Sequence, residues 1–304
     1  MRQYPSTFMI ETVLGCNLSC PECAVGGGLV RRKYGMMPFA QFVDIMDKIK
    51  DHCKYLYLHL WGEPMLNPDI FKMIEYAGKY TKTNISTNAN TLTESSAKML
   101  VRSGVTDLIV SIDGISQECY SMYRKGGNAE RALNALKWLA EHANASHKKN
   151  GLEKLISKIF PQKNIPNITP QFIMFKHNEH EAQLFSDFCR NLGLKSYFRP
   201  PYIRDNSLFE NCSDPTYHRS MYSSDISSRK ENMKNCKDLT DVMTILLDGS
   251  VVCCCYDHNG VTTFGNIFTS SLETIINSSA RVKFENQLAA GDPPDFCLKN
   301  CFAF

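Results

Sequence analysis

The chain has 304 residues, 43% hydrophobic and 21% charged, enough for one large buried core and a smaller appended unit. Its 34 basic and 31 acidic residues are interspersed, so the net charge of +3 excludes the concentrated basic footprint of a nucleic-acid or anionic-membrane binder. No apolar run approaches the roughly 18–20 residues that cross a bilayer, and the N-terminus lacks a signal pattern, so a cytoplasmic protein without nucleic-acid or membrane partners is expected.

Strand-like and helix-like segments alternate from residue 6 to about 200. Residues 6–13 read as a first strand, followed by a helix over 37–50. A strand at 55–60 leads through Asn67 and Pro68 into a helix over 70–79. A strand at 82–87 precedes a helix capped near Thr93, and a strand at 107–112 precedes helices over 116–124 and 129–145. The strand at 169–175, the helix at 179–191 and the strand at 195–199 complete six β–α units. Such units build a parallel sheet with helices outside it, either doubly wound or an incomplete barrel. Residues 146–167, rich in Lys and Asn, read as a surface excursion. The polar, Ser-rich stretch 201–235 reads as a linker or substrate-covering segment. Beyond it, the β-prone runs 242–247 and 251–256 flank Asp248 and Gly249, a hairpin signal, and a helix is expected over 271–279.

The thirteen cysteines are clustered rather than dispersed, and the cytosol keeps thiols reduced, so metal or iron–sulfur ligation is favoured over disulfides. Cys53, Cys119, Cys189 and Cys212 stand alone and read as small buried hydrophobes. Cys16, Cys20 and Cys23 form a Cys-x3-Cys-x2-Cys loop directly after the first strand. Three thiolates at this spacing can hold three corners of a [4Fe–4S] cube and leave the fourth iron open, as a substrate-binding metal site requires. The alternatives are a zinc knuckle or a closed cluster with a distant fourth ligand, but zinc motifs prefer paired cysteines.

This loop resembles the signature of the radical S-adenosylmethionine (radical SAM) superfamily, and further matches follow in the family's order. The resemblance implies an α/β fold with a partial (β/α)6 TIM-like barrel. It also implies S-adenosylmethionine chelated at the open iron and split on reduction to a 5′-deoxyadenosyl radical, with flavodoxin or ferredoxin as the kind of electron donor. Trp61, Gly62, Glu63 and Pro64 are similar to the family's Gly-Gly-Glu-Pro motif, with Trp in place of the first glycine. There Glu63 offers an anionic acceptor for the cofactor's ammonium. Ser86, Thr87 and Asn88, and then Ser111 and Asp113, resemble the polar strand ends that meet ribose and carboxylate. Each is also an ordinary turn or cap pattern, but successive strand ends of a parallel sheet are where ligands sit. Arg124 is a candidate carboxylate partner or a solvated helix-end arginine. Asn178 to Glu181 resembles an Asn-x-x-Glu found in family members with extra clusters, and equally a helix-capping pattern.

Cys236, Gly249 and Cys254 match the opening spacing of the family's SPASM extension, and Cys297 and Cys301 add two thiolates. The longer cysteine run of the full extension is missing, so the chain resembles the shortened "twitch" form with one auxiliary [4Fe–4S] cluster on Cys236, Cys254, Cys297 and Cys301. A structural zinc is the alternative. If Cys254 faces the cluster from a strand, Cys253 and Cys255 face away, as buried packing, a spare ligand or a hydrogen-atom donor.

The division expected is a barrel over 1–200, a connecting segment over 201–235 and a small α+β auxiliary domain, a β-hairpin plus helix, over 236–304. The resemblance implies a hydrogen-abstracting oxidoreductase, of dehydrogenase or epimerase type. With a closed auxiliary cluster as electron acceptor, two-electron oxidation leads and redox-neutral epimerisation follows. The chain starts about six residues before its first strand, which tilts the expected substrate from a ribosomal peptide towards a polar small molecule, a sugar or aminocyclitol. Arg199 to Arg204 is a candidate pocket lining or a solvated loop. A non-catalytic iron–sulfur or zinc protein accounts for the cysteines but not for the strand-end motifs.

Overall fold

The computed structural model describes residues 4–147, 165–204, 207–219 and 226–301. Short runs, buried in part or alternately except at the half-exposed edge, make the sheet: β1 (Thr7–Ile10), β4 (Tyr55–Tyr57), β5 (Lys82–Thr87), β6 (Asp107–Ser111), β7 (Asn167–Ile173) and the edge strand β8 (Tyr197–Arg199) lie side by side in that order, all parallel. This is the expected β–α alternation, a six-stranded partial barrel whose edge strand β8 leaves it open. Between the strands run α1 (Phe39–Ile49), α2 (Ile70–Ala77), α3 (Glu94–Arg102), α4 (Gln117–Tyr123), α5 (Ala129–His147) and α6 (Ala182–Asn191). The cap at Thr93 is a full capping box with Ser96, which satisfies orphan amides at the start of α3. Most of the excursion at 146–167 lies outside the described residues.

The first strand is shorter than the run 6–13. Glu11 and Thr12 interrupt it, and β2 (Val13–Leu14) pairs instead with β3 (Gly35–Met36). The physical cause is long-range. Glu11, fully buried, takes Arg32 Nη2 at 2.8 Å and the Leu247 amide at 2.9 Å, while Thr12 Oγ1 donates to the Leu58 carbonyl at 2.8 Å. The chain therefore turns out of the sheet there and releases the cysteine loop above the strand ends.

The C-terminal part shares this sheet. After α7 (Ile226–Met233) and α8 (Lys237–Thr240), β9 (Val242–Ile245) pairs parallel with β1, and β10 (Ser250–Val252) and β11 (Gly265–Asn266) extend the edge antiparallel. The hairpin turns at Asp248 and Gly249, where Gly249 has φ +82°, a left-handed conformation open to glycine at little cost. Met243, Ile245, Val251, Phe264 and Ile267 join Phe8, Ile10 and Leu56 in one continuous buried core. The expected helix at 271–279 is two: α9 (Leu272–Ile276) and α10 (Ser279–Ala289), the second capped by Ser278. A last helix, α11 (Asp295–Asn300), carries Cys297. Among the described residues no helix is long and apolar enough to cross a membrane.

Candidate functional site

The C-terminal ends of the parallel strands open into one cavity of about 360 Å³, at the lower end of the ligand-pocket range. Cys16, Cys20 and Cys23 form part of its wall, together with Gly62 and Glu63 after β4, Ser86, Thr87 and Asn88 at the end of β5, Ser111 at the end of β6, and Arg124. Residues up to 108 positions apart in sequence, Cys16 and Arg124, thus face one space. Pro64 and Asp113, also expected at the cofactor, lie behind the wall: Pro64 starts a buried turn, and Asp113 is fully buried.

The loop holding the three cysteines is built by close backbone approach. A Cβ on Gly26 would meet the Cys20 carbonyl oxygen at 2.4 Å, and one on Gly27 the Pro21 carbonyl oxygen at 2.5 Å, so only glycine folds back over the loop. A Cβ on Gly62 would meet the Val13 carbonyl oxygen at 2.2 Å, and the Glu63 amide donates to the Gly15 carbonyl at 2.9 Å. Donors converge on the sulfurs: the Leu18 amide on Cys16 Sγ at 3.4 Å, Asn88 Nδ2 on Cys16 Sγ at 3.6 Å, and Arg124 Nη1 on Cys20 Sγ at 3.9 Å. Burial pushes the Cys16 thiol up to about 12 and the Cys20 thiol up to about 11. Burial disfavours the bare anions, so thiolates here would need a nearby positive charge such as a metal's, and the donors on Cys16 and Cys20 would add to its stabilisation. The donor set therefore fits a three-cysteine iron–sulfur corner.

Glu63 lines the cavity as expected and is also held by its neighbours. Its two oxygens are taken by the Met65 amide at 3.1 Å, Thr87 Oγ1 at 2.7 Å and the Asn88 amide at 2.8 Å, and only 3% of the residue is exposed. The carboxylate ties the end of β4 to the end of β5 and aims Asn88 at the cysteine loop, while still lining the cavity. Arg124 is not a solvated helix-end residue. Only 12% of its side chain is exposed, and Nε lies 2.6 Å from Asp113 Oδ2, while Asp113 Oδ1 accepts from the Ile173 amide at 2.7 Å. Asn178 does not cap its own helix. Its Oδ1 accepts from the Phe175 amide, and its Nδ2 donates to the Asp113 and Ile173 carbonyls. Glu181 instead takes the Ile115 and Ser116 amides ahead of α4. Both residues support the Asp113 corner.

Sequence reasoning missed His59, Tyr123 and Gln171 in the cavity wall, and Tyr256 from the extension. His59 was legible in principle, two residues past the end of β4. Its Nδ1 accepts from the Ser86 amide at 3.0 Å, and burial lowers its pKa to about 4, so the ring is neutral. Gln171 Nε2 donates to Ser111 Oγ at 3.3 Å. Trp61, which stands where the family motif has glycine, reaches across to the extension. Its indole donates to the Cys255 carbonyl at 2.8 Å, and its ring packs edge-on to His258 at 5.6 Å.

A second, narrow cavity is lined by Cys236, Cys253, Cys254, Cys297 and Cys301 with Met233, Leu239, Phe284, Leu288 and Phe296. The four thiols expected around an auxiliary cluster therefore converge. Burial first pushes Cys236 and Cys297 up to about 12, with the charges of Asp238 and the neighbouring thiols adding to it at Cys236 and those of the neighbouring thiols at Cys297. The expectation that Cys253 and Cys255 share the face opposite Cys254 is overturned. β10 ends at Val252, so the run lies in a turn where strand alternation no longer applies. Cys253 lines the auxiliary cavity with its Sγ 3.7 Å from that of Cys254, whereas Cys255 lines the large one.

Two family models match the chain: the radical SAM superfamily over residues 10–148, and the SPASM iron–sulfur cluster-binding domain over residues 236–302. The chain belongs to the radical SAM superfamily. A [4Fe–4S] cluster, S-adenosylmethionine and auxiliary iron–sulfur binding come with these two domains. Among curated proteins it is similar to mycofactocin maturase MftC of Mycobacterium tuberculosis, 30% identical over 132 residues, which is 43% of this chain and 33% of that protein. It is also similar to the AdoMet-dependent heme synthase of Methanosarcina barkeri, 29% identical over 53% of this chain and 47% of that protein. The chain thus spans about a third to a half of the length of these relatives. Among solved structures, BtrN in complex with AdoMet and 2-DOIA superposes with TM-score 0.56 and 18% identity, covering 96% of this chain and 89% of that one. Streptococcus suis SuiB bound to S-adenosylmethionine gives TM-score 0.67 at 16% identity over 93% and 68%. At such identities these two report the fold.

Proposed function

We propose that this radical SAM chain reductively cleaves S-adenosylmethionine and abstracts a hydrogen atom from a polar small molecule, which then loses a second electron to give a two-electron oxidation. Cys16, Cys20 and Cys23 would hold the site cluster, and Cys236, Cys254, Cys297 and Cys301 the auxiliary one, in a barrel over about 1–200 and an extension over about 236–304. The single observation that carries the reading is that the three-cysteine loop and the strand-end residues share one cavity whose far wall, Cys255 and Tyr256, comes from the extension. When bound, cluster and cofactor would supply a 5′-deoxyadenosyl radical. The chain's part is to bind, orient and exclude water. Glu63 and Asn88 hold the cysteine loop, neutral His59 and the Ser111–Gln171 pair offer uncharged polar contacts, and Tyr123 with its aromatic neighbours closes the floor. An electron leaving the substrate radical would have the four-cysteine site one residue beyond the cavity wall, since Cys254 adjoins Cys255.

A second reading, redox-neutral epimerisation, is favoured by one observation: Cys255 lies in the cavity wall. A thiol there would donate a hydrogen atom to the substrate radical. Modification of a peptide is the third, supported by relatives named mycofactocin maturase and PqqA peptide cyclase. The test is anaerobic reconstitution followed by S-adenosylmethionine and dithionite. The reading requires 5′-deoxyadenosine and about eight irons per chain, four for each cubane. Two intact clusters with no 5′-deoxyadenosine would leave a non-catalytic iron–sulfur protein. Zinc in place of the second cluster would remove the electron acceptor.

A further inference from the structure

We propose that Cys119, His180 and Glu181 form a zinc site beside the Asp113 corner, apart from the cavity and from both cysteine sets. The inference goes beyond the functional reading above, which uses none of the three as a ligand.

The three come from two stretches of chain. Cys119 lies on α4, and His180 and Glu181 lie in the short helical turn Glu179–Glu181 that leads into α6. One donor atom from each, Cys119 Sγ, a ring nitrogen of His180 and a carboxylate oxygen of Glu181, lies within 4.8 Å of the other two. Ligands of a tetrahedral zinc, at about 2.0–2.3 Å from the ion, stand about 3.3–3.6 Å apart, so the trio closes on an ion by movements of about 1 Å. Glu181 is already aimed, since its oxygens take the Ile115 amide at 2.5 Å and the Ser116 amide at 3.2 Å, and ligating carboxylates are hydrogen-bonded in this way. Cys119 and Glu181 are buried, whereas His180 is exposed and opens the trio to solvent. None of the three lines the cavity. His177 adds an observation of its own. Its Nε2 is buried with no hydrogen-bond partner among the described residues, its ring is within electrostatic reach of His180 and Glu181, and its carbonyl accepts from Cys119 Sγ at 3.9 Å. A buried polar atom without a partner calls for an ion or an ordered water beside it.

Charge points the same way. Burial first, then the charge and hydrogen bond of Glu181 and the charges of Asp113 and Glu118, push the Cys119 thiol up to about 12. Arg124 is engaged by Asp113 and Lys176 by Glu179, and no cation among the described residues pairs with Glu181. A divalent ion would supply the positive charge that a Cys119 thiolate needs. Burial also holds the His177 ring below its ordinary pKa, in the neutral form that binds metals. A mixed sulfur, nitrogen and oxygen donor set suits zinc, whereas magnesium and calcium take oxygen ligands. So bound, the ion would staple α4 to the turn ahead of α6, the two stretches that Glu181 already joins. The plain alternative is a Cys119 thiol hydrogen-bonded to Glu181 with no ion.

The test uses the anaerobically reconstituted protein, equilibrated with zinc chloride and desalted, with zinc and iron counted in the same samples by mass spectrometry. The wild type should keep about one zinc per chain more than His180→Ala or Cys119→Ser, with equal iron in all three. His180 is exposed, so its replacement leaves the packing intact and reads the site rather than the fold. X-ray absorption at the zinc edge should show one sulfur at about 2.3 Å beside nitrogen and oxygen neighbours. Added zinc should also raise the first thermal transition of the wild type and leave that of His180→Ala where it was. A wild type that keeps no zinc, or zinc kept equally by the wild type and both variants, would overturn the site. So would a shell of four sulfurs, which would place the ion on Cys236, Cys254, Cys297 and Cys301.

Discussion

Replacing Asp113 by Asn keeps the shape of the side chain and removes one of the most deeply buried charges beside the cavity. Asp113 is fully buried and Arg124 has 12% of its side chain exposed, so solvent does little to compensate either partner. Asn still accepts from the Ile173 amide, but Arg124 is left as a largely buried cation that reaches only as far as Cys20 Sγ, at 3.9 Å. Breaking a buried pair by removing one partner costs about 3–5 kcal/mol. At roughly 2 °C per kcal/mol for a chain of this length, the first thermal transition should fall by about 6–10 °C. The assay is anaerobic calorimetry of the wild type, Asp113→Asn, Arg124→Gln and the double variant. The double variant should be markedly more stable than the sum of the two single losses predicts, because it no longer buries an unmatched charge. A transition within about 2 °C of the wild type in Asp113→Asn, or strict additivity, would refute the reasoning.

Gly62→Ala should prevent stable iron incorporation at the first site, because its methyl group would stand 2.2 Å from the Val13 carbonyl oxygen; iron counting after reconstitution checks this, and full occupancy would show that the backbone yields. Cys301→Ala should lose about four irons while leaving S-adenosylmethionine cleavage measurable, with Mössbauer spectra read for one remaining cluster. Trp61→Phe, which removes the indole donor to the Cys255 carbonyl, should cost about 0.5–1.5 kcal/mol in denaturant unfolding. His59, whose pKa is lowered to about 4, binds fewer protons folded than unfolded, so the stability it confers is present above its ordinary value near 6.5 and is lost as pH falls towards 4. His59→Gln should therefore flatten the acid limb of Tm against pH, and an unchanged limb would show that the ring is not the titrating group.

The β–α alternation was legible because most of the parallel strands are short runs with buried positions and several helices open on a side-chain cap, as at Thr93 and Ser116. What local pattern did not carry was the work of buried polar groups whose partners are distant. The break in the first strand depends on Glu11 meeting Arg32 and Leu247, the latter 236 residues away. Glu63 reads as a ligand in a motif, and its partners at the end of β5 make it a strut as well. Trp61 reads as a departure from a glycine pattern, and its reason is the Cys255 carbonyl 194 residues on. The cysteine run at 253–255 misled through a sound rule applied one residue too far, since alternation ends where β10 ends at Val252. The convergence of Cys236, Cys254, Cys297 and Cys301 was legible only through the resemblance to the SPASM and twitch extensions, since nothing local ties residue 236 to residue 301.

The most direct measurement compares 5′-deoxyadenosine formation, under dithionite and anaerobically, in the wild type and in a Cys16→Ala/Cys20→Ala/Cys23→Ala variant, with iron counted in the same samples. The wild type should form 5′-deoxyadenosine, and the variant should form none while keeping about four irons per chain, the content of the auxiliary cubane. Cleavage at the wild-type rate in the triple variant would contradict the account, because the radical would then be generated somewhere other than the loop after β1.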